Sequence, residues 1–151
     1  MQTDLSPQTL GRQQALAVLA AAPSRALAEL WESWTDKPQH QAVRRPETGL
    51  VMVRGRAGGG GAPFNLGEAT VSRASVRLES GEVGHGYCLG RDMAKAEAIA
   101  VIDALFQRQP QDVESKIIEP LRTLAGQADS KRRDQSAATK VDFFTMVRGD
   151  N

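Results

Sequence analysis

Three stretches of the chain carry residue types that do chemistry. The first is the run Arg54, Arg56 and then Gly58, Gly59, Gly60 and Gly61. Successive glycine N–H groups beside cationic side chains are a way to hold phosphate. A P-loop, however, needs a Lys-Ser/Thr pair after its last glycine and a helix opening there. Ala62-Pro63-Phe64 comes next instead. The dinucleotide fingerprint also fails, because its spaced glycines must open a helix. The favoured reading is a loop joining two strands; a loop wrapping a ligand phosphate, with Arg54 and Arg56 in support, is the alternative. The second stretch is Gly90-Arg91-Asp92, at the junction of a strand and a helix. Free N–H groups and the helix dipole favour anions at such a place, and Arg91 can grip phosphate or phosphonate through two donors. A turn in which Asp92 caps the helix accounts for Asp92 and leaves Arg91 unexplained.

The third stretch is Val141–Asn151, VDFFTMVRGDN. Chain ends are ordinarily polar and frayed, yet this one holds Phe143, Phe144, Met146 and Val147. Each would gain about 1.5–3 kcal/mol on full burial. Nothing there activates a nucleophile or forms an acid–base pair. The segment Val141, Asp142, Phe143, Phe144, Met146, Val147, Arg148 and Asp150 is therefore expected to be a docking arm for a partner subunit, with Arg148 and Asp150 making polar contacts. His40 and His85 are the two histidines and Cys88 the one cysteine. They lie at no metal-ligand spacing, so no metal site is expected. Burial as a small apolar group is the expectation for Cys88.

The elements that must position these residues can be read from pattern. Ser6 and Pro7 read as the cap and first residue of a helix carrying Leu10, Ala15, Leu16, Leu19 and Ala20, ended by Pro23. Ser24 reads as the cap of a second helix with Leu27, Leu30, Trp31 and Trp34 on one face, the tryptophans anchoring the pair to the core. Residues Gln41–Arg45 read as a short edge strand ending at Pro46, and Leu50–Val53 as the next strand. Phe64–Glu79 alternates, with a phase slip that predicts a bulge near Ser72-Arg73. Ser80-Gly81 is a turn signal, and Val83, His85, Tyr87 and Leu89 alternate as a further strand. That makes about four antiparallel strands.

A helix runs from Asp92 toward Pro110, its face for the sheet made of Ala94, Ala98, Val101, Ile102 and Leu105, its solvent side of Lys95, Glu97 and Asp103. Another helix begins after Pro110, with Pro120 as a kink or break. The polar stretch 127–140 reads as a solvated helix or a mobile arm. The expected fold class is α+β: one domain over 1–140, made of a helical hairpin (1–37), an antiparallel sheet (38–90) and helices packed on it (91–140), then an extended tail (141–151).

Composition bounds the rest. The chain has 151 residues, of which 40% are hydrophobic and 25% charged, enough for one domain with a real core. A formal net charge of +1 gives no general attraction to phosphate backbones, so no nucleic-acid partner is expected. There is no apolar run of the roughly 20 residues a membrane span needs, and the start lacks a secretory signal. A cytoplasmic protein is expected, with no membrane partner.

Several segments together resemble a known family. RPETGLVMVRGRAGGGGAPFNLGEATVSRASVRL, GHGYCLGRDMAKAEAIAVIDAL and the tail VDFFTMVRGDN are similar to PhnG, a subunit of the bacterial carbon–phosphorus lyase core complex. The resemblance covers most of the chain beyond Arg45 and departs at Gly60, where some members carry threonine. Cys88 is not part of the family pattern. The resemblance implies assembly with PhnI, PhnH and PhnJ and with the ATPase-like PhnL and PhnK, and no self-sufficient function as a monomer. It implies a role, with PhnI, PhnH and PhnL, in a reaction where alkylphosphonate displaces adenine from MgATP to give ribose 1-alkylphosphonate 5-triphosphate. Nucleosidase-like chemistry would fall to PhnI. The iron–sulfur cluster and S-adenosylmethionine of the later radical step would belong to PhnJ; this chain alone would bind no cofactor. For this chain the resemblance implies an accessory, structural subunit. The alternative is a phosphate-contacting component that lends Arg54, Arg56 and Arg91 to a shared active site.

Overall fold

The computed structural model describes residues 7–139, with side chains from residue 11 onward; the expected Ser6 cap and the docking segment 141–151 lie outside the described residues. Helices α1 (Pro7–Ala21) and α2 (Ser24–Glu32) form the first unit. Pro23 ends α1 as expected, but it also stands at the cap position of α2, so Ser24 is the first helical residue and its hydroxyl caps nothing. Leu19 and Leu27 are buried, Trp34 sits in the core, and Trp31 packs beside it with ring centroids 6.2 Å apart.

The sheet is antiparallel in the order β1-β2-β3, with β1 at His40–Arg56, β2 at Pro63–Leu78 and β3 at Val83–Leu89. Among the described residues, the expectation of about four strands is corrected to three. The two short strands expected on either side of Pro46 are one 17-residue strand. Proline removes a ladder donor and so ends a central strand, but β1 is an edge strand, and Pro46 falls within a register irregularity between Arg44 and Glu47. The bulge expected near Ser72-Arg73 is likewise on the facing strand. The extra residues belong to β1, between Ala42 and Arg44 and between Arg44 and Glu47, while β2 pairs with β3 in unbroken register from Val71 to Arg77. A further slip, opposite Val53 and Arg54, gives β2 one extra residue at Leu66.

Only the root of the β1–β2 pair meets β3. From Thr70 to Pro63, β2 pairs with β1 alone, so the hairpin continues as a two-stranded ribbon. A tight helical turn at Ala57–Gly59 closes it, with Gly58 at φ 61° and Gly59 at φ 78°, a backbone that side chains disfavour. At the other hairpin, Gly81 at φ 105° turns β2 into β3, with its N–H donating to the Leu78 carbonyl at 2.9 Å.

Helix α3 (Met93–Arg108) lies on one face of the sheet. Every residue from Ile99 to Leu105 is buried, because α1, α2 and the segment after Pro110 cover its far side. This corrects two expectations. Ala94 is exposed rather than facing the sheet, and Asp103 is 1% exposed rather than solvated. The last helical segment runs from α4 (Pro110–Val113) through one widened π turn (Glu114–Ile118) into α5 (Glu119–Ala138). The widened turn immediately precedes Pro120, where it relieves the clash of the ring with the preceding turn, so the proline does not break the helix. Val113, Ile117, Ile118 and Leu121 reach the core; beyond Leu121 the helix is almost wholly exposed.

Candidate functional site

Two glycines set how β3 meets α3. Gly84, Gly86 and Cys88 face the helix, while His85, Tyr87 and Leu89 face away. A Cβ on Gly86 would stand 1.7 Å from the Ala96 carbonyl oxygen, and one on Gly84 would stand 1.9 Å from that of Ala100. Ala96, Ala100 and Ala104 form a stripe of small residues at four-residue spacing against which the strand lies flush.

Asp103 belongs to the same contact. Its carboxylate accepts Arg12 Nε at 2.7 Å and Arg12 Nη2 at 2.8 Å, and the His85 backbone N–H at 2.8 Å. One buried acid thus ties α1, α3 and β3 together. Its hydrogen bonds and charge raise the Arg12 pKa further. The sequence signal available for this pair was weak: an acid inside an otherwise apolar helical run.

The Gly90-Arg91-Asp92 junction is built on Ser72, which is fully buried. The Ser72 hydroxyl donates to the Gly90 carbonyl at 2.8 Å, accepts the Asp92 N–H at 2.9 Å and lies 3.2 Å from the Thr48 hydroxyl. Gly90 holds φ 88°, and its N–H donates to the Thr70 carbonyl at 2.8 Å. Asp92 caps α3 as expected, accepting the Lys95 N–H at 2.9 Å. The Ser24 hydroxyl, and then that N–H, hold the Asp92 pKa below the ordinary value. Lys95 Nζ in turn donates to the Ala20 and Ala22 carbonyls at 2.9 and 2.6 Å, closing the end of α1. Arg91 is exposed beside this turn. Burial pushes the Cys88 thiol pKa up, so the cysteine is a packing residue.

The structure does not bring the sequence-derived phosphate contacts together within one chain. Gly58, Gly59, Gly60 and Gly61 are the turn at the ribbon tip, and Arg54 and Arg56 sit on the strand entering it. Gly90, the residue before Arg91, bonds Thr70, which pairs with Leu50. Four residues of strand separate Leu50 from Arg54, about 14 Å. A groove of about 690 Å³ runs between α1 and α5, lined by Ala17, Val18, Ala21, Leu121, Leu124 and Ala125. A second, of about 410 Å³, lies between α2 and the start of α3. Neither is lined by Arg54, Arg56 or Arg91. Among the described residues, no three His, Cys, Asp or Glu side chains gather to hold a metal ion, and no helix is long and apolar enough to cross a membrane.

What the surface does present is apolar. Leu50, Met52, Val53, Phe64 and Leu66 are exposed on the ribbon, and Tyr87 and Leu89 on β3. Sequence reasoning missed this as a feature, although VMV and PFNL around a glycine loop could have suggested an unpartnered hairpin.

Fold and surface together define an α+β protein whose exposed large apolar side chains gather on a two-stranded ribbon and on β3. Residues 11–149 match the family described as phosphonate metabolism protein PhnG. A relative from Rhizobium meliloti (strain 1021), named alpha-D-ribose 1-methylphosphonate 5-triphosphate synthase subunit PhnG, is 50% identical over 141 residues, 93% of this chain and 90% of its own. The chain belongs to the PhnG family.

Proposed function

We propose that this chain is an accessory subunit of an alpha-D-ribose 1-methylphosphonate 5-triphosphate synthase acting in the cytoplasm in phosphonate breakdown. The observation that carries this is the 50% identity, along 93% of the chain, to a relative bearing that name. In the reaction, a phosphonate oxygen forms a bond to C1′ of MgATP as the bond from C1′ to adenine breaks, and adenine leaves. PhnI, PhnH and PhnL would be the partners in this step and PhnJ a neighbour in the assembly. The exposed apolar ribbon supports a role in assembly. So does the geometry of the polar residues: Asp103, Ser72 and Asp92 are committed to packing the helices and capping α3.

In this reading the segment Val141–Asn151 docks on a partner through Phe143, Phe144, Met146 and Val147. The test is co-expression with PhnH, PhnI and PhnJ, with and without that segment, and measurement of the mass of what co-purifies. The full chain is expected in a large complex. The truncated chain is expected to be folded and alone. Equal assembly of both forms would remove the docking role of the segment.

The exposure of Arg54, Arg56 and Arg91 favours one second reading, in which they contact nucleotide phosphates in a shared site. MgATP bound tightly by the isolated chain, and lost in an Arg54→Ala/Arg56→Ala/Arg91→Ala variant, would move the chain to that class.

A further inference from the structure

α3 covers one face of the sheet; the other carries exposed Arg73, Arg77, Tyr87 and Leu89 around a buried Val71. Ser72, Ala74, Val76 and Leu78 of β2 turn toward α3, so the odd-numbered residues between them turn away. The side chains on this outer face sort by position. At the root, Arg44 and Arg73 flank Glu47, and Arg77 lies further along β2, beyond a cross-strand pair in which Ser75 Oγ lies 2.8 Å from His85 Nδ1. Toward the tip the face is apolar: Val53, Phe64 and Leu66 on the ribbon, then Tyr87 and Leu89 from β3. Leu66 is 62% exposed and Leu89 73%. The absence of a side chain at Gly55 lets Leu66 lie across this face, since a Cβ there would stand 2.4 Å from its Cδ1.

The root is ordered and cationic. Glu47 Oε1 accepts Arg44 Nη1 and Arg73 Nε, both at 2.7 Å, which fixes two guanidiniums against one carboxylate. Arg77 belongs to neither pair and leaves the root with excess positive charge. We propose that this outer face docks a partner protein whose surface is apolar opposite Phe64, Leu66 and Leu89 and acidic opposite Arg44, Arg73 and Arg77. The proposal rests on the subunit reading above for the assembly that holds the partner.

Charge complementarity selects this occupant over the others. A second copy packed face to face would set guanidiniums against guanidiniums, or against the apolar end. The chain's own segment 140–151 carries Lys140 and Arg148 beside Asp142 and Asp150, so it offers no excess acid. A membrane surface would take cations spread around the apolar residues, whereas here they are segregated to one end with Glu47 among them.

The test uses the full chain co-expressed with the other subunits. One variant, Leu66→Asp/Leu89→Asp, alters the apolar end, and a second, Arg44→Glu/Arg77→Glu, alters the root. Leu124→Asp, an exposed leucine on α5 away from the sheet, is the control. These positions are exposed, so the isolated variants should keep the parent melting temperature. Each outer-face variant is expected to reduce co-purified partner on the order of tenfold, and the control by less than about twofold. Assembly of the parent should weaken with salt more steeply than that of the arginine variant. Undiminished assembly by both outer-face variants overturns the docking face and leaves the subunit reading intact. A parent chain that co-purifies no subunit overturns both. The proposal also falls if the isolated chain forms a dimer that Leu66→Asp breaks, or if it binds phosphatidylserine–phosphatidylcholine vesicles. It falls equally if hydrogen exchange shows residues 64–71 protected only while 141–151 is present.

Discussion

Replacing Gly86 with alanine tests the close approach of β3 to α3. The added Cβ would stand 1.7 Å from the Ala96 oxygen and 2.8 Å from the Ala100 nitrogen. Ordinary contact begins near 3.4 Å, so the helix must retreat by about 1.7 Å at this point. That pulls α3 away from β2 and β3, whose buried residues share one core with it. Overpacking a core costs about 1–3 kcal/mol, sometimes more. Because both obstacles are backbone atoms and cannot rotate away, about 3 kcal/mol is expected, from a total stability of about 5–15 kcal/mol. For a chain of this size that lowers the melting temperature by about 6–12 °C. The assay is thermal and urea unfolding of the isolated chain, with Gly67→Ala as control, since no atom lies within 4 Å of a Cβ there. The control should be neutral or slightly stabilising through the unfolded chain. The double variant Gly86→Ala/Ala96→Gly should stay as unstable as Gly86→Ala, because truncating Ala96 leaves its carbonyl in place. A Gly86→Ala melting temperature within about 2 °C of the parent, or full rescue by Ala96→Gly, would refute the reasoning.

Arg12→Ala should destabilise the chain by about 2–3 kcal/mol in urea unfolding, less than a wholly buried pair because the Arg12 side chain is 32% exposed; Arg12→Lys should recover only part of it, since an ammonium cannot supply the two-pronged donor. Asp92 adds a pH dependence. Its folded pKa is depressed by Ser24 and then Lys95, so its contribution is complete above the ordinary carboxylate value of 3.8 and is lost as pH falls through the folded value. Asp92→Asn keeps a good cap and should flatten the acid limb of stability measured by urea midpoints between about pH 5 and 2.

The elements that announced themselves did so by local chemistry. Pro23 ends α1, Asp92 caps α3 and the turn at Ser80-Gly81 reverses the chain, each through a backbone requirement that one or two residues meet. What eluded the sequence was set by neighbours. Pro46 reads as a strand end unless β1 is known to be an edge, and the slip of phase in β2 reads as its own bulge when the extra residues belong to β1. Asp103 reads as solvent-facing on a helical wheel, and only the arrival of α1 with Arg12 makes it a buried acid. Arg54, Arg56 and Arg91 share a residue type, but strand geometry separates them.

The alternation in β3 shows how core and candidate binding face arise from one pattern. Size alone would put Val83, Tyr87 and Leu89 inward and leave Gly84 and Gly86 in water. The reverse holds, because the glycine side allows the strand backbone to reach the backbone of α3, and a central helix buried on both sides needs that flush contact. Once Gly84 and Gly86 are committed inward, the two-residue period sends Tyr87 and Leu89 outward, beside Val71 and Arg73 of β2. The ribbon then extends the same face with Phe64 and Leu66, beyond the reach of any described helix. Apolar exposure on that face is thus a consequence of how the core closes. Leu66→Asp and Gly86→Ala should therefore separate cleanly: the first should lower assembly at unchanged melting temperature, and the second should lower the melting temperature whatever partner is present.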